Sequence, residues 1–348
     1  MEIKRLHKEW RYFRYLLIFI LIAGFGMLPL RAQETNSIAS AQTDAVVISQ
    51  TDLLQTLVDI EEGTEKTVRL ELVLDNDTFR QIKLVFPKIK GSIHLDMSAC
   101  TLGGGTVSLG GTFKDCLCLR SVIIPEGILY SGDEVFMGCK NLVSVSLPES
   151  LQIIFSSAFS GCASLETITI PSKVTTIGKN AFLNCSKIQK IVIPEKVTGI
   201  GSGAFAGCSS LKDIVITSKS RKYTYVSGIL FEQISGGKAI HSYILTGNVP
   251  LIPPDVIAIF ERAFYNNSSL YSVIIPDNIK TIGDEAFANC TALLSIEIPG
   301  SVSFVGRDNF AGCSSLQEIV IRKSRKIPSG WDKGWLGNQL YGIIKFNP

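Results

Sequence analysis

Apolar residues recur along most of the chain with a period of 23 positions. Phenylalanine marks this period within two groups of the sequence. The phenylalanines are Phe113, Phe136, Phe159, Phe182 and Phe205 in the first group, and Phe264, Phe287 and Phe310 in the second. A fixed period of roughly 20 to 50 residues is typical of proteins in which each repeat forms one structural unit. The pattern therefore predicts a stack of 23-residue coils.

The coil that begins at Phe159 shows the full pattern. Counting Phe159 as offset 0, it carries cysteine at offset 3, leucine at 6, isoleucine at 9 and 11, and proline at 12. Offsets 8 to 11 alternate polar with apolar, β-branched residues, which predicts a short strand with one buried face. Proline at offset 12 ends the strand because it has no amide proton to donate. The predicted fold class is a β-rich repeat solenoid.

One such coil cannot bury its own apolar side chains, so we expect the coils to be stable only as a stack with a cap at each end. The coil sequence resembles the BspA-like leucine-rich repeat family. The resemblance rests on Ile298-Pro299, Thr281-Ile282-Gly283-Asp284-Glu285-Ala286-Phe287 and Ala311-Gly312-Cys313-Ser314-Ser315-Leu316, and it covers roughly residues 93 to 348. It implies a leucine-rich-repeat-like stack in a secreted bacterial surface protein that adheres to host or neighbouring cells.

The first 32 residues have the organisation of a secretory signal peptide. A basic stretch from Lys4 to Arg14 precedes an apolar run from Leu16 to Leu30, and cleavage is predicted after Ala32. An uncleaved anchor is the alternative, but the 15-residue run is shorter than the roughly 20 residues that cross a bilayer as a helix. We therefore expect an extracytoplasmic protein without a stable membrane span after cleavage, located in the periplasm, on the outer surface or in the medium.

The rest of the chain is predicted to form four segments. These are a flexible lead-in at 33–46, an N-terminal α/β cap at 47–112, the solenoid at 113–322 and a C-terminal cap at 323–348. Phe205 and Phe264 are 59 residues apart, and the surplus is assigned to a hairpin insert at about 217–247. Tyr223 and Tyr225 of this insert either contact a partner or form the core of the insert. Trp331 and Trp335 are interpreted as covering the last coil rather than as a platform for sugars.

Charge and cysteine spacing exclude several functions. Six of the 34 basic and two of the 31 acidic residues precede position 33, so the mature chain is close to neutral and nucleic-acid binding is not expected. Seven of the nine cysteines lie at offset 3, where stacked side chains point the same way and disfavour disulfides. Cys100 and Cys118 lie off this column and are the disulfide candidates. Cys116-Leu117-Cys118 lacks the second ligand pair of a zinc site, so neither a metal nor a cofactor is expected.

No catalytic constellation is predicted. His94 and His241 lie in remote elements, and the chain has neither a nucleophile elbow nor a phosphate loop. Glu297 and Glu318 are interpreted as surface carboxylates rather than as the acid pair of a hydrolase. The protein is therefore expected not to be an enzyme.

The strand pattern predicts a binding surface instead. Offsets 8 and 10 must face away from the core if offsets 9 and 11 face inward. Offset 10 is aliphatic in six coils, at Ile123, Val192, Val215, Leu251, Ile274 and Val320. These residues either form a docking surface for a protein partner or reflect the preference of strands for β-branched residues. The predicted function is protein interaction in cell-surface adhesion. The alternatives are a structural envelope or assembly component and, less favoured, a carbohydrate-binding module or a hydrolase.

Overall fold

The computed structural model describes residues 46–48, 57, 60–104, 108–217, 222–244, 250–338 and 341–348. These residues lie in one compact unit, Asp44–Pro348. The predicted signal peptide and the lead-in up to residue 45 fall outside the described ranges. Within those ranges, none of the helices has both the length and the apolar character needed to cross a membrane.

The chain forms a β-solenoid in which most coils place one strand at about offsets 8 to 11, as predicted, although residues 250–252 hold offsets 9 to 11 of one coil without forming a strand. We call the strands at these offsets the first strands, and each pairs in parallel with neighbouring first strands, as in the register that aligns Val192 with Val215. They are β1 (Val46–Ile48), β2 (Glu65–Leu70), β4 (Ser92–Asp96), β6 (Leu119–Ile123), β7 (Ser144–Ser146), β9 (Thr167–Ile168), β11 (Lys190–Ile193), β13 (Asp213–Ile216), β18 (Ser272–Ile274), β20 (Ser295–Pro299), β22 (Glu318–Arg322) and β23 (Ile344–Asn347).

A second, shorter strand lies on the other side of each regular coil, and the sequence pattern did not predict it. These second strands also pair in parallel, so that Ile177 lies between Ile154 and Ile200. They are β8 (Ile153–Ile154), β10 (Thr176–Ile177), β12 (Gly199–Ile200), β17 (Val256–Ile259), β19 (Thr281–Ile282) and β21 (Phe304–Val305). Two strands of mostly two to five residues in 23 leave too little alternation for the pattern to show the second one.

The phenylalanines form a column inside the stack with two parts, Phe113 to Phe205 before the insert and Phe264 to Phe310 after it. The ring of Phe159 is stacked 5.5 Å from that of Phe136 and 5.3 Å from that of Phe182. All eight column members are buried. Their spacing of one coil confirms that the 23-residue period is a structural repeat.

Tight turns on both sides of each phenylalanine need left-handed backbone conformations. In the second coil of the column, Glu134 at offset −2 and Gly138 at offset +2 have φ values of 58° and 76°. The same two offsets in other coils carry glycine, asparagine, aspartate or serine, except for Arg262 and Glu285. Glycine adopts this conformation without strain, and Asn and Asp tolerate it better than most residues.

Parallel pairing continues upstream of the predicted solenoid boundary. Strands β1, β2 and β4 extend the first-strand sheet through residues assigned to the N-terminal cap. Helix α1 (Asn76–Val85) takes the place of a turn there, and Asp75 caps it by accepting a hydrogen bond from the Thr78 amide at 2.8 Å. A 3-10 helix (Phe86–Lys88) follows, and a two-stranded pair, β3 (Val73–Leu74) with β5 (Thr101–Leu102), completes this region.

The insert is an antiparallel three-stranded hairpin, as the pattern predicted. It consists of β14 (Tyr223–Val226), β15 (Ile229–Ile234) and β16 (Gly237–Tyr243). Strand β16 then pairs in parallel with β17. Tyr243 takes the place of a column phenylalanine, with its ring 5.3 Å from that of Phe264.

The last coil ends on aromatic side chains and one added strand. Trp335 lies edge-on to Phe310 at 5.8 Å, and Trp331 lies 4.8 Å from Trp335. Both tryptophans are buried, which leaves neither ring available as a platform for sugars. A 3-10 helix (Tyr341–Ile343) leads into β23, which pairs with β22.

Candidate docking surface

The outward-facing side of the first strands presents two columns of side chains. In β11, Ile191 and Ile193 are buried, whereas Lys190 and Val192 are exposed. The same alternation recurs in β20 and β22, with half-exposed side chains at some outward positions. Because side chains alternate across a strand, offsets 8 and 10 face solvent while offsets 9 and 11 supply the core.

We call the six aliphatic residues at offset 10 the docking column. Three of them are exposed: Leu251 at 88%, Ile274 at 64% and Val192 at 43%. Ile123, Val215 and Val320 are half-buried. Aliphatic side chains that keep this much contact with water gain free energy when a partner covers them.

The six residues do not form one uninterrupted row. Val192 and Val215 are direct neighbours in the parallel register. Ile123 is aligned with Ser146, and Val320 lies between Glu297 and Lys345, so these two residues stand apart. The aliphatic character is therefore concentrated in the middle of the column.

Two exposed apolar residues at offset 7 were missed by the sequence analysis. Tyr271 is 56% exposed and Leu294 is 46% exposed, and each precedes a first strand near Ile274. Most other coils carry a charged or polar residue at this offset. That difference was visible in the sequence, but only the structure shows that offset 7 borders the same face.

Charged side chains close the C-terminal end of this face. Arg322 lies 3.3 Å from Glu297 and 3.5 Å from Asp277, and Lys345 pairs with Glu318. The carboxylates of Glu297 and Glu318 are thus held in ion pairs with cationic side chains. This arrangement is that of a polar border beside the apolar part of the column.

The insert does not offer Tyr223 to a partner, contrary to the contact-surface alternative. Its side chain is 4% exposed, and its hydroxyl oxygen accepts a hydrogen bond from the Ile200 amide at 2.8 Å. Tyr225 is half-buried and donates to the Lys212 carbonyl at 3.3 Å. Tyr223 is unavailable because the hairpin lies across the stack as a layer, with this ring turned onto the preceding coil.

The cysteines form a buried ladder. Each thiol from Cys139 onward donates to the carbonyl of the phenylalanine one coil earlier, as Cys162 does to Phe136 at 3.1 Å. Burial raises the pKa of the Cys139 thiol to about 12, which keeps it protonated. All nine cysteines are free and buried, and Cys100 and Cys118 donate to two different carbonyls, of Leu70 and Phe86. Across the described ranges, no group of three or more His, Cys, Asp or Glu side chains is arranged to hold a metal.

The parallel register brings together three side chains that lie 27 to 29 residues apart along the chain. His94 lies 2.7 Å from the Ser121 hydroxyl through Nδ1 and 2.9 Å from the Glu65 carboxylate through Nε2. The row crosses the outer face of β2, β4 and β6, where the His94 and Glu65 side chains are 41% and 59% exposed. Such a row resembles the linkage of a catalytic triad, but these exposures leave it open to water on a sheet surface, unlike the enclosed sites that favour catalysis.

Comparisons with known proteins agree with this architecture. No curated protein sequence matches the chain. A leucine-rich cell surface protein of Faecalibacterium prausnitzii has a similar structure with a TM-score of 0.52, at 24% identity over 88% of each chain. A leucine-rich repeat protein of Eubacterium ventriosum gives a TM-score of 0.54, at 25% identity over 66% of each chain.

The repeat itself identifies the family. The family described as BspA type leucine-rich repeat region matches residues 110–233 and 249–330 in 6 copies. These ranges contain the phenylalanine column from Phe113 to Phe310 and the cysteine ladder from Cys116 to Cys313. The chain belongs to the BspA-type leucine-rich repeat family, a family of protein-interaction repeats.

Proposed function

We propose that this protein is an exported, non-enzymatic adhesin that binds a protein on a host or neighbouring cell through the middle of the docking column. The observation that carries the proposal is the exposure of Leu251, Ile274 and Val192 at offset 10, on the outward-facing side of their coils. An apolar strip of this kind is costly to leave in water, and such strips mark interaction sites on soluble proteins.

Several features support a protein as the partner. The strip is aliphatic and flanked by small hydroxyl side chains such as Ser272 and Ser295, with ion pairs at its border. Protein interfaces combine an apolar centre with a polar rim in this way. The rings of Tyr223, Trp331 and Trp335 are buried and cannot stack on a sugar.

Export is supported by the leader and by the neighbour from Faecalibacterium prausnitzii, which is described as a cell surface protein. Protease treatment of living cells tests the location. We expect the protein to be cleaved on intact cells, and complete resistance would contradict a role in adhesion.

The docking column is tested by substitution in the predicted mature chain, residues 33–348. Replacing Val192, Val215 and Ile274 by Asp introduces three charges into the strip without touching the core. We expect binding to intact cells to fall at least tenfold, because each interface charge would have to be desolvated. The matched control is Thr169→Asp, which adds a charge at an exposed offset-10 position outside the strip.

The control should bind as the unmodified protein does, and circular dichroism should show that both variants are folded. Unchanged binding by the folded triple variant would remove this face from consideration. Equal loss in the control would mean that general surface charge, rather than the strip, governs binding.

A further inference from the structure

The hydrophobic core of the solenoid is divided into two clusters at the insert. One cluster runs from the N-terminal region to Ile214, and the other from Ile252 to Leu336. The hairpin contributes to both. Tyr223, Leu230 and Ile244 pack on the first cluster, whereas Ile229, Phe231, Ile240 and Tyr243 pack on the second. The insert is thus a layer with one face toward each core.

Strand pairing joins this layer to one side only. Strand β16 continues in parallel pairing into β17. In the part of the chain that the structure describes, neither β12 nor β13 pairs with a strand of the insert. We call the boundary between these two strands and the insert the junction.

Side chains make the polar contacts that cross the junction. Lys222 donates to the Thr198 carbonyl at 2.7 Å, and Tyr225 donates to that of Lys212. Arg262, which chelates Glu285 through two nitrogens, also reaches Asn180 at 2.9 Å. Long side chains retain rotamer freedom that a backbone ladder lacks, so these contacts are easier to open.

His241 occupies the centre of the junction. In a regular coil, the residue after the second strand donates its amide to the previous coil, as Gly201 does to the Ile177 carbonyl at 2.8 Å. His241 replaces this amide with its ring, whose Nε2 donates to the Ile200 carbonyl at 3.1 Å. The ring is fully buried, and its Nδ1 lies 3.0 Å from the Ser242 hydroxyl.

Burial disfavours a charge on this ring. Loss of hydration, with a smaller contribution from the positive charge of Lys222, lowers the pKa of His241 to about 4 against the opposing backbone contacts at Ile200 and Gly201. The charged and titratable groups on the elements packed around it are Lys222 before β14, Tyr223 of β14, Glu232 of β15, Glu261 and Arg262 after β17, and Lys179 before β12. Glu232 and Glu261 are held in ion pairs with Lys222 and Lys179.

We propose that the solenoid is built of two cooperative blocks, and that the junction between them opens when His241 takes up a proton. Protonation places a charge in the apolar plane where the two blocks meet. Opening of the junction lets water hydrate this charge, and it separates Tyr223, Leu230 and Ile244 from the first block, on which they pack in the closed state. The paired first strands within each block remain intact.

The junction also divides the docking column. Val192 and Val215 belong to the first block, whereas Leu251 and Ile274 follow the insert. Acid opening would therefore separate the two halves of the strip. This consequence rests on the proposed function, whereas opening itself does not depend on it and is measured without any partner.

Hydrogen exchange followed by mass spectrometry on residues 33–348 tests the proposal. With a ring pKa of 6.5 in the open state and about 4 in the closed state, linkage predicts a roughly 20-fold greater opening at pH 5 than at pH 7. We expect this increase, after correction for intrinsic exchange rates, at Gly199–Ile200 and Tyr223–Val226. Strands β6 and β20, far from the junction, should keep their protection.

Two variants separate the ring from other acid effects. His241→Gln keeps an amide donor for Ile200 without a titrating group, and should reduce the increase to less than threefold. His94→Gln removes the exposed histidine and should leave the 20-fold increase unchanged. The proposal would be overturned by any of three results: the full increase in exchange persists in His241→Gln, exchange in the unmodified protein increases less than threefold, or exchange increases equally in all coils.

If His241→Gln does not fold, nuclear magnetic resonance of the unmodified protein replaces it. The ring protons of His241 should titrate near pH 4, with exchange broadening of Ile200 over the same range. Titration near pH 6.5 without change at Ile200 would contradict the proposal.

Discussion

The phenylalanine column allows a quantitative test of the stacked architecture. Phe159 is fully buried, and its ring lies 5.5 Å from that of Phe136 and 5.3 Å from that of Phe182. Phe→Ala in a core costs about 3 to 5 kcal/mol through lost burial and the cavity that remains. Two stacked neighbours add about 0.5 to 1.5 kcal/mol each. We therefore expect Phe159→Ala to lower the free energy of unfolding by about 4 to 8 kcal/mol.

Urea unfolding of residues 33–348, followed by circular dichroism, measures this loss. Phe159→Leu fills most of the space and should cost only about 1 to 2 kcal/mol. Phe304→Ala removes a phenylalanine that is 45% exposed and should cost less than about 1 kcal/mol. The three variants together separate column packing from the mere loss of an aromatic ring.

The location of the coils that Phe159→Ala destabilises is as informative as the total loss of unfolding free energy. Because repeat stability is a sum over neighbours, hydrogen exchange should speed up in coils next to Phe159 and much less beyond the insert. A loss below about 2 kcal/mol for Phe159→Ala, or equal losses for Phe159→Ala and Phe304→Ala, would refute a column in which each ring supports the next.

Three further predictions concern other elements of the stack. Only the thiolate reacts, and burial raises the pKa of the six thiols from Cys139 onward, that of Cys139 to about 12. Iodoacetamide at pH 8 should therefore leave these six cysteines of the folded chain unlabelled and label them in urea; labelling of the native protein would show that the ladder is open. Gly203→Ala should lower the free energy of unfolding by about 1 to 3 kcal/mol, since φ is +67° and a Cβ atom would lie 2.3 Å from the Asn180 amide oxygen. Gly63→Ala serves as the control, because Gly63 has a similar φ but open space around it, and should cost less. Equal melting temperatures for the two variants would contradict the role of the close approach to Asn180. The folded protein favours the neutral form of His241 more than the unfolded chain does. The contribution of His241 to the free energy of unfolding is therefore complete above pH 6.5 and falls by roughly 3 kcal/mol as the pH drops toward 4. The difference in unfolding free energy between the unmodified protein and His241→Gln measures this loss, and a difference independent of pH would count against it.

Features that depend on a single coil could be predicted from the sequence. The period of the phenylalanines set the coil length, and the alternation around Ile168 and Ile170 predicted one strand and the direction in which its side chains point. Proline at Pro171 marked where that strand ends. These inferences succeed because successive side chains of a strand point to opposite faces, so the face of each residue follows from its position in the local pattern.

Features that depend on contacts between coils could not be predicted from the sequence. Glu65, His94 and Ser121 lie 27 to 29 residues apart and meet because the N-terminal coils pair in parallel with a register longer than the regular period. The burial of Tyr223, the division of the core and the ring of His241 in place of a backbone amide likewise follow from how the insert lies on the coil before it.

The sequence by itself thus determined the repeating unit, the family and the face on which the docking column lies. The tertiary structure alone decided how much of Leu251, Val215 and Ile123 remains in contact with water and where the stack is interrupted. The physical reason is that the repeat is a local pattern enforced within about two dozen residues, whereas exposure and junctions depend on the neighbour that each coil meets, which an insert changes without altering the pattern on either side.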